Sequence, residues 1–413
     1  MTALLFVAAL AAQAATSGTT TSPASPTEAG TKPKPGQSTY LDLEAGVGYS
    51  TNPFMSLDNS SGRGFGRVSI HGVHTRATER TTTVLSAYAQ NTTYTSTYGS
   101  EQSFDLNAHH DAAVSERLRL FADADLAYDQ GGQLDTRIIG VPVVSLFPGQ
   151  PPVLILPSSD FLTVRGREYR AAGHLGGQLA LGPKDDLNFA SGIEHVRFKT
   201  GGIETRYTTI PVSFGYDRQI NERATVGARV SAERTDYNGP THYEVISPQL
   251  TGHLQLSERM TLFGAVGAAF VSIDNGIRTD HSTGLDASAG LCSIDEAGSL
   301  CAHAAIDQGT ATSAGPSKSV SVGVDYSRRL DAIQTIQFSL AADHYSNPTS
   351  FITGRTFSNA NYVRAVADYT RKIGDRWFGG VNLAARKVTQ GGPDPDPDIS
   401  ASAFVRYRFG DIQ

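Results

Sequence analysis

In this 413-residue chain, the residues able to do chemistry recur on alternate positions. LRLFADADLAY (118–128) sets Arg119, Asp123 and Asp125 against Leu118, Leu120, Ala122, Ala124, Leu126 and Tyr128. Asp105, Asn107, His109 and Asp111 alternate with Leu106 and Ala108, and Arg170 and His174 with Tyr169, Ala171 and Leu175. Asp42, Glu44, Arg229, Arg364, Arg386, Arg406 and Arg408 occupy the same kind of position. A period of two puts all of these charges on one face of successive β-strands. Charges so placed can line a wet wall. Read as a device, acids early in the chain and arginines in the last three strands set a transverse field that orients polar solutes. Read more plainly, they form ordinary cross-strand salt bridges, each contributing roughly 0–1 kcal/mol.

Other reactive groups are few. Cys292 and Cys301 are the only cysteines and bracket CSIDEAGSLC; in an exported chain two cysteines so close form a local disulfide. His109 and His110 are no metal pair, since neighbours on a strand point to opposite faces. PDPDPD (393–398) either holds a divalent ion near lipopolysaccharide or is a solvated loop. The sequence carries no G-x-S-x-G, H-E-x-x-H, P-loop or Cys/His metal spacing. No cofactor, no metal and no enzyme activity are therefore expected.

The elements that position these residues are strands throughout. Hydrophobic residues make up 39%, charged residues 18%, and there are 42 glycines. Long amphipathic helical patterns are scarce, and the net charge of −6 is not the basic footprint of a nucleic-acid binder. ALLFVAALAAQAA (3–15) reads as a signal peptide ending in an A-x-A site, giving a leader over 1–14. No cysteine at that site marks a lipid anchor. Residues 15–38, rich in Thr, Ser and Pro, read as a disordered periplasmic tether. From 39 to 413 about sixteen strands alternate with turns: 40–50, 64–77, 81–95, 102–115, 117–130, 167–181, 186–200, 204–219, 223–237, 242–257, 260–274, 318–328, 333–346, 360–372, 376–389 and 398–410. Most exceed the usual length of soluble strands.

Tight links such as ATER, SERL, INER and SERM alternate with longer ones, the longest being 131–166, 275–317 and 347–359. That asymmetry is expected of an antiparallel up-and-down transmembrane β-barrel with short turns at one rim and long loops at the other. Sixteen strands enclose a lumen too wide for side chains to fill. The polar face must then line it, and the apolar face must meet lipid. Aromatic residues fall at the two rims: Tyr216, Tyr326, Tyr369, Trp377, Tyr407 and Phe409 near the short turns; Tyr49, Phe104, Tyr128, Tyr169 and Phe270 near the long loops. Such girdles mark membrane interfaces.

Closing the ring sets the last strand beside the first, so Arg406 and Arg408 can meet Asp42 and Glu44. Within the third long link, IIGVPVVSLFPGQPPVLILP (138–157) is unusually apolar. It either folds into the lumen as a constriction, extends as a hairpin, or contacts lipid or a partner. The cysteines fall in the sixth long link, on the outside.

The carboxyl-terminal ASAFVRYRF (401–409) resembles the terminal strand signal of bacterial outer-membrane proteins, although GDIQ follows Phe409. The opening YLDLEAGVGYSTNPF (40–54), with Tyr49, Asn52 and Phe54, resembles the first strand of the β-barrel porin-2 families of Gram-negative bacteria. That resemblance implies an outer-membrane barrel, often encoded near exopolysaccharide export genes. It implies as partners the outer-membrane lipid and lipopolysaccharide, the barrel-assembly machinery and polysaccharide-export components, with no nucleic acid and no set oligomeric state. The expectation is a porin-like channel for small hydrophilic solutes, its amino terminus periplasmic and its long loops external. The other reading is a non-conducting structural or adhesive barrel.

Overall fold

A computed structural model describes residues 36–53, 55, 61–95, 99–131, 166–200, 203–310, 317–346, 359–390 and 394–410. The expected leader, nearly all of the tether, Phe54 and the apolar stretch 138–157 lie outside the described residues. The first six strands are β1 (Gly36–Ser50), β2 (Arg63–Ala77), β3 (Thr81–Tyr94), β4 (Ser100–Ala113), β5 (Leu118–Gln130) and β6 (Arg167–Ala180). Next come β7 (Asp185–Thr200), β8 (Ile203–Asn221), β9 (Ala224–Tyr237), β10 (His242–Gln255), β11 (Met260–Asp274) and β12 (Thr279–Asp295). The last six are β13 (Gly298–Thr310), β14 (Ser317–Arg329), β15 (Gln334–Ser346), β16 (Asn359–Lys372), β17 (Trp377–Gln390) and β18 (Asp398–Gly410). Each pairs antiparallel with its sequence neighbours, and β1 pairs with both β2 and β18. The sheet is thus a closed up-and-down barrel with no free edge, the arrangement that satisfies every backbone ladder.

The ring has eighteen strands where about sixteen are expected. The two additional ones, β12 and β13, fill most of the expected loop 275–317. TDHSTGLDASAGLCSID is poor in large apolar residues, so its period of two is faint. Its outward face is nonetheless Leu285, Ala287, Ala289 and Leu291, in register with β11. β1 also starts at Gly36, paired with Ala77, so the last residues assigned to the tether belong to the barrel.

The short turns have a common chemistry. In Thr78-Glu79-Arg80, Ser115-Glu116-Arg117 and Ser257-Glu258-Arg259 the first side chain accepts hydrogen bonds from N–H groups two and three residues on. Asp295 accepts from Ala297 and Gly298 in the same way, at 2.8 and 2.9 Å. A side-chain oxygen that imitates a backbone carbonyl closes each turn without a long loop.

Alternation then divides the side chains. Val47, Leu175 and Leu250 stand outward at 70%, 66% and 66% exposure, with Val68, Phe214 and Leu383 beside them in a belt around the ring. The inward face is Ser, Thr, Tyr, Asp, Glu and Arg, much of it buried. Gly48 shows how the inward side accommodates bulk. A Cβ there would lie 2.5 Å from the Phe65 ring and 2.4 Å from the Ala401 carbonyl oxygen. Beside it, with Gly46 equally bare, the Arg67 guanidinium of β2 reaches across β1 to donate to Ser402 Oγ of β18 at 2.9 Å.

Candidate functional site: the inward wall of the barrel

The structure puts Asp42, Glu44, Asp105, Asp111, Arg119, Asp123, Asp125, Arg170, Arg229, Arg364, Arg386, Arg406 and Arg408 on the inward parity of their strands. They form two arcs. The acids concentrate on β4 and β5, and the arginines on β16, β17 and β18, with β1 between.

At the ring's closure, Asp42 stands opposite Arg408, and Glu44 opposite Arg406. Arg408 grips Asp42 with two parallel bonds, Nε to Oδ1 and Nη2 to Oδ2, both 2.7 Å. Arg406 donates to Glu44 Oε2 at 3.1 and 3.2 Å. The Arg408 guanidinium also covers the Tyr40 ring at 4.2 Å. Bidentate guanidinium–carboxylate geometry fixes register as well as supplying energy. Across the acidic arc, Asp125 accepts from Arg170 Nε at 3.1 Å, and Asp123 binds His109 at 2.6 Å. His110 faces outward to Thr83, so the two histidines part as their spacing requires. Arg229 donates to Gln249 Oε1 at 2.7 Å.

The long-loop rim carries an arrangement that sequence reasoning missed. Asp398 opens β18 and accepts from Arg386 Nη2 at 2.8 Å and Nε at 3.2 Å. It also accepts from Ser50 Oγ and from the Asn52 N–H. Arg386 further donates to the carbonyls of Pro53, at 3.0 Å, and Gly131, at 3.4 Å. Met55, at φ +48°, is fully buried against Tyr345, Ala360, Tyr362 and Val388 of β15–β17. The segment after β1 therefore lies over the inward face of strands several places away. Gly131, just past β5, is separated from β17 by about a third of the ring. With strands ~4.8 Å apart and tilted ~40°, eighteen strands make a circle ~36 Å across and a chord of ~30 Å between those points. An arginine side chain is several times shorter than that chord, so Gly131 and β17 lie much closer together than on such a circle. The rim is pinched here.

Of the acidic stretch 393–398, Asp398 is thus a buried ion-pair partner and not a solvated loop residue; Asp394 and Asp396 are exposed. Among the described residues no group of three or more His, Cys, Asp or Glu side chains is arranged to hold a metal. Cys292 and Cys301 are disulfide-bonded, with Cα atoms 4.1 Å apart. They are directly opposed on β12 and β13 beside the short turn at 296–297. Their expected site on a long external loop is corrected: the stretch is a hairpin, and the bond faces inward at the short-turn rim. The outward aromatics stand at the two rims. Tyr49 (54% exposed), Tyr128 and Tyr169 lie at the long-loop rim, the last two with rings 4.8 Å apart. At the short-turn rim Trp377, Tyr407 and Phe409 pack edge to face in sequence, with Tyr216, Tyr326 and Tyr369 on other strands at that level.

No family model matches the sequence, so the resemblance of 40–54 to the porin-2 families gains no support. No curated protein matches either. Solved structures do. The FrpB iron transporter from Neisseria meningitidis (F5-1 variant) is similar with a TM-score of 0.44 and 8% identity, over 89% of this chain and 82% of that one. The siderophore receptor PirA from Acinetobacter baumannii gives 0.43 and 8%, over 91% and 81%. The ferric citrate transporter FecA in its unliganded form gives 0.42 and 12%, over 89% and 78%.

Proposed function

We propose that this chain is an outer-membrane channel for small hydrophilic solutes, with long loops external, short turns periplasmic and the amino-terminal segment in the periplasm. The observation that carries it is the inversion of the two faces: polar and charged inside, apolar outside, around a closed ring. A perimeter of ~110 Å and an apolar band ~25 Å tall give roughly 3,000 Å². A soluble monomer exposes patches of a few hundred Å². Hydrocarbon is the solvent that suits such a belt. Ions and polar solutes suit the wall inside, where acid and arginine arcs set selectivity. Attachment to a polysaccharide-export system is the narrower form of the proposal, and it rests on the first-strand resemblance alone.

Planar bilayers test the channel. Stable current steps are expected, with selectivity moving towards cations when Arg364, Arg386 and Arg406 are neutralised. A chain that stays soluble without detergent, or whose currents ignore those charges, refutes the proposal.

A second reading has its own observation. The bonding of Arg386 to Asp398, Pro53 and Gly131 pinches the long-loop rim, as a non-conducting barrel that binds through its loops would require. The same bilayers separate the two, because such a barrel stays silent.

A further inference from the structure

Just above the apolar belt, the outward face of β6–β8 opposes like charges. Arg167 of β6 stands directly across from Lys199 of β7, and Arg197 of β7 directly across from Arg206 of β8. All four are exposed. Directly opposite residues on one face lie about 5 Å apart at Cβ, and like charges there destabilise a sheet. Among the described residues of β6–β8, Glu204 is the one outward carboxylate at this level; it stands directly across from Lys199, and Arg197 engages it at 2.7 Å, so a single carboxylate serves four cations. Elsewhere on the same rim the sequence avoids this conflict. Arg234 faces Glu244 across the ladder and pairs with it at 3.3 Å, and Arg278 pairs with Asp280.

The position of the cluster narrows the missing counter-charge. Tyr169, an outward rim aromatic, is the register partner of Arg197. On the belt side stand Ile193 and Ile210, 54% and 42% exposed on the same outward face. A ligand touching both zones carries anionic groups over an acyl body. We propose that Arg167, Arg197, Lys199 and Arg206 bind the phosphate groups of a phosphorylated glycolipid of the outer leaflet, its acyl chains lying against Ile193 and Ile210. The site rests on the outer-membrane reading and its orientation. Cation clusters at a membrane surface attract anionic headgroups by roughly 1 kcal/mol per charge, about fivefold in affinity.

The test uses the full chain in neutral detergent, titrated with bisphosphorylated lipid A, with its dephosphorylated form and with inorganic phosphate. The doubly substituted Arg197→Gln/Arg206→Gln chain is expected to bind bisphosphorylated lipid A about 25-fold more weakly, taking that fivefold step twice. Arg328→Gln/Arg371→Gln, on the opposite rim, should leave affinity unchanged. Without glycolipid, Arg206→Gln should raise the unfolding temperature, because one like-charge pair is relieved. Equal affinity in the Arg197/Arg206 variant overturns the proposal, as does equal binding of dephosphorylated lipid. Displacement by millimolar inorganic phosphate marks a free-anion site and also overturns it, and a lowered unfolding temperature for Arg206→Gln assigns that residue a structural role instead. Insertion into vesicles is read separately. Failure of the membrane reading appears there, in wild type and variants alike, whereas failure of this site leaves insertion intact.

Discussion

Replacing Arg386 with Met tests whether the pinched rim closes the barrel. The side chains of Arg386 and Asp398 are 1% and 3% exposed, so solvent screens the pair little. Removing one partner of a buried ion pair costs about 3–5 kcal/mol, because the other charge is left uncompensated. The lower end applies to Arg386→Met, since Asp398 keeps Ser50 Oγ and the Asn52 N–H as donors. The carbonyls of Pro53 and Gly131 lose the guanidinium donor they share. Asp398→Asn leaves a buried cation with neutral acceptors and should cost a similar amount.

If the segment after β1 stays folded inward through this pair, ~3 kcal/mol shifts the open-to-closed ratio by a factor of roughly 150. Single-channel recording reads that ratio as open probability, and heat-modifiable gel migration reads stability. Both variants should conduct more and unfold at lower temperature. The double variant Arg386→Met/Asp398→Asn should cost less than the sum of the two, because neither charge is then left alone. Wild-type currents and wild-type heat resistance in both single variants would refute the reasoning. Lower stability with unchanged current would keep the ion pair as a structural clasp and remove it as a closure.

At the seam, Asp42→Asn/Glu44→Gln should weaken the β1–β18 junction by about 1–3 kcal/mol, since two charge-assisted bonded pairs are lost; refolding into detergent should slow, and equilibrium urea unfolding measures the loss. For the disulfide, Cys292→Ser/Cys301→Ser should cost at most ~2.6 kcal/mol, from loop-closure entropy over the nine-residue separation. The hairpin already holds those strands together, so a smaller loss is expected in the same unfolding assay. A loss above that figure would mean the bond does more than restrict the unfolded chain.

Much of the barrel is written in the period of two. The inward charges were legible because Asp, Glu and Arg alternate with Leu, Val and Ala, and a single parity choice places them all. The seam partners followed from closure alone, Asp42 and Arg408 lying near opposite ends of the chain. β12 and β13 were hidden because half of their outward side chains over the paired stretch are alanine, which contrasts weakly with the inward Ser and Gly. The cysteine pair shared that fate, since with no strand on either side a hairpin bond reads as a loop bond. The role of Asp398 was hidden for a different reason. The last strand is expected to begin there, but PDPDPD has the composition of a solvated loop, and only the register shows that Arg386 faces Asp398. The opposed cations of β6–β8 were invisible for the same reason, because no composition reveals which arginines face each other.

The pairing of charges bears on what the lumen can do. Arg406, Arg408 and Arg386 are engaged with Glu44, Asp42 and Asp398, so much of the arginine arc is neutralised locally. On the other wall, Asp125 is met by Arg170, while Asp123, 40% exposed at its side chain, is met by a histidine. Acids also recur inward on β7, β8, β12 and β14, at Glu194, Asp217, Asp286 and Asp325. A solute on the axis therefore meets a net negative wall and feels the paired arginines chiefly as short-range donors. Potential in a low-dielectric cleft follows net charge, whereas bonded pairs act only within a few ångströms. On the proposed channel reading the barrel should accordingly prefer cations, and neutralising the arginines should deepen that preference instead of creating it.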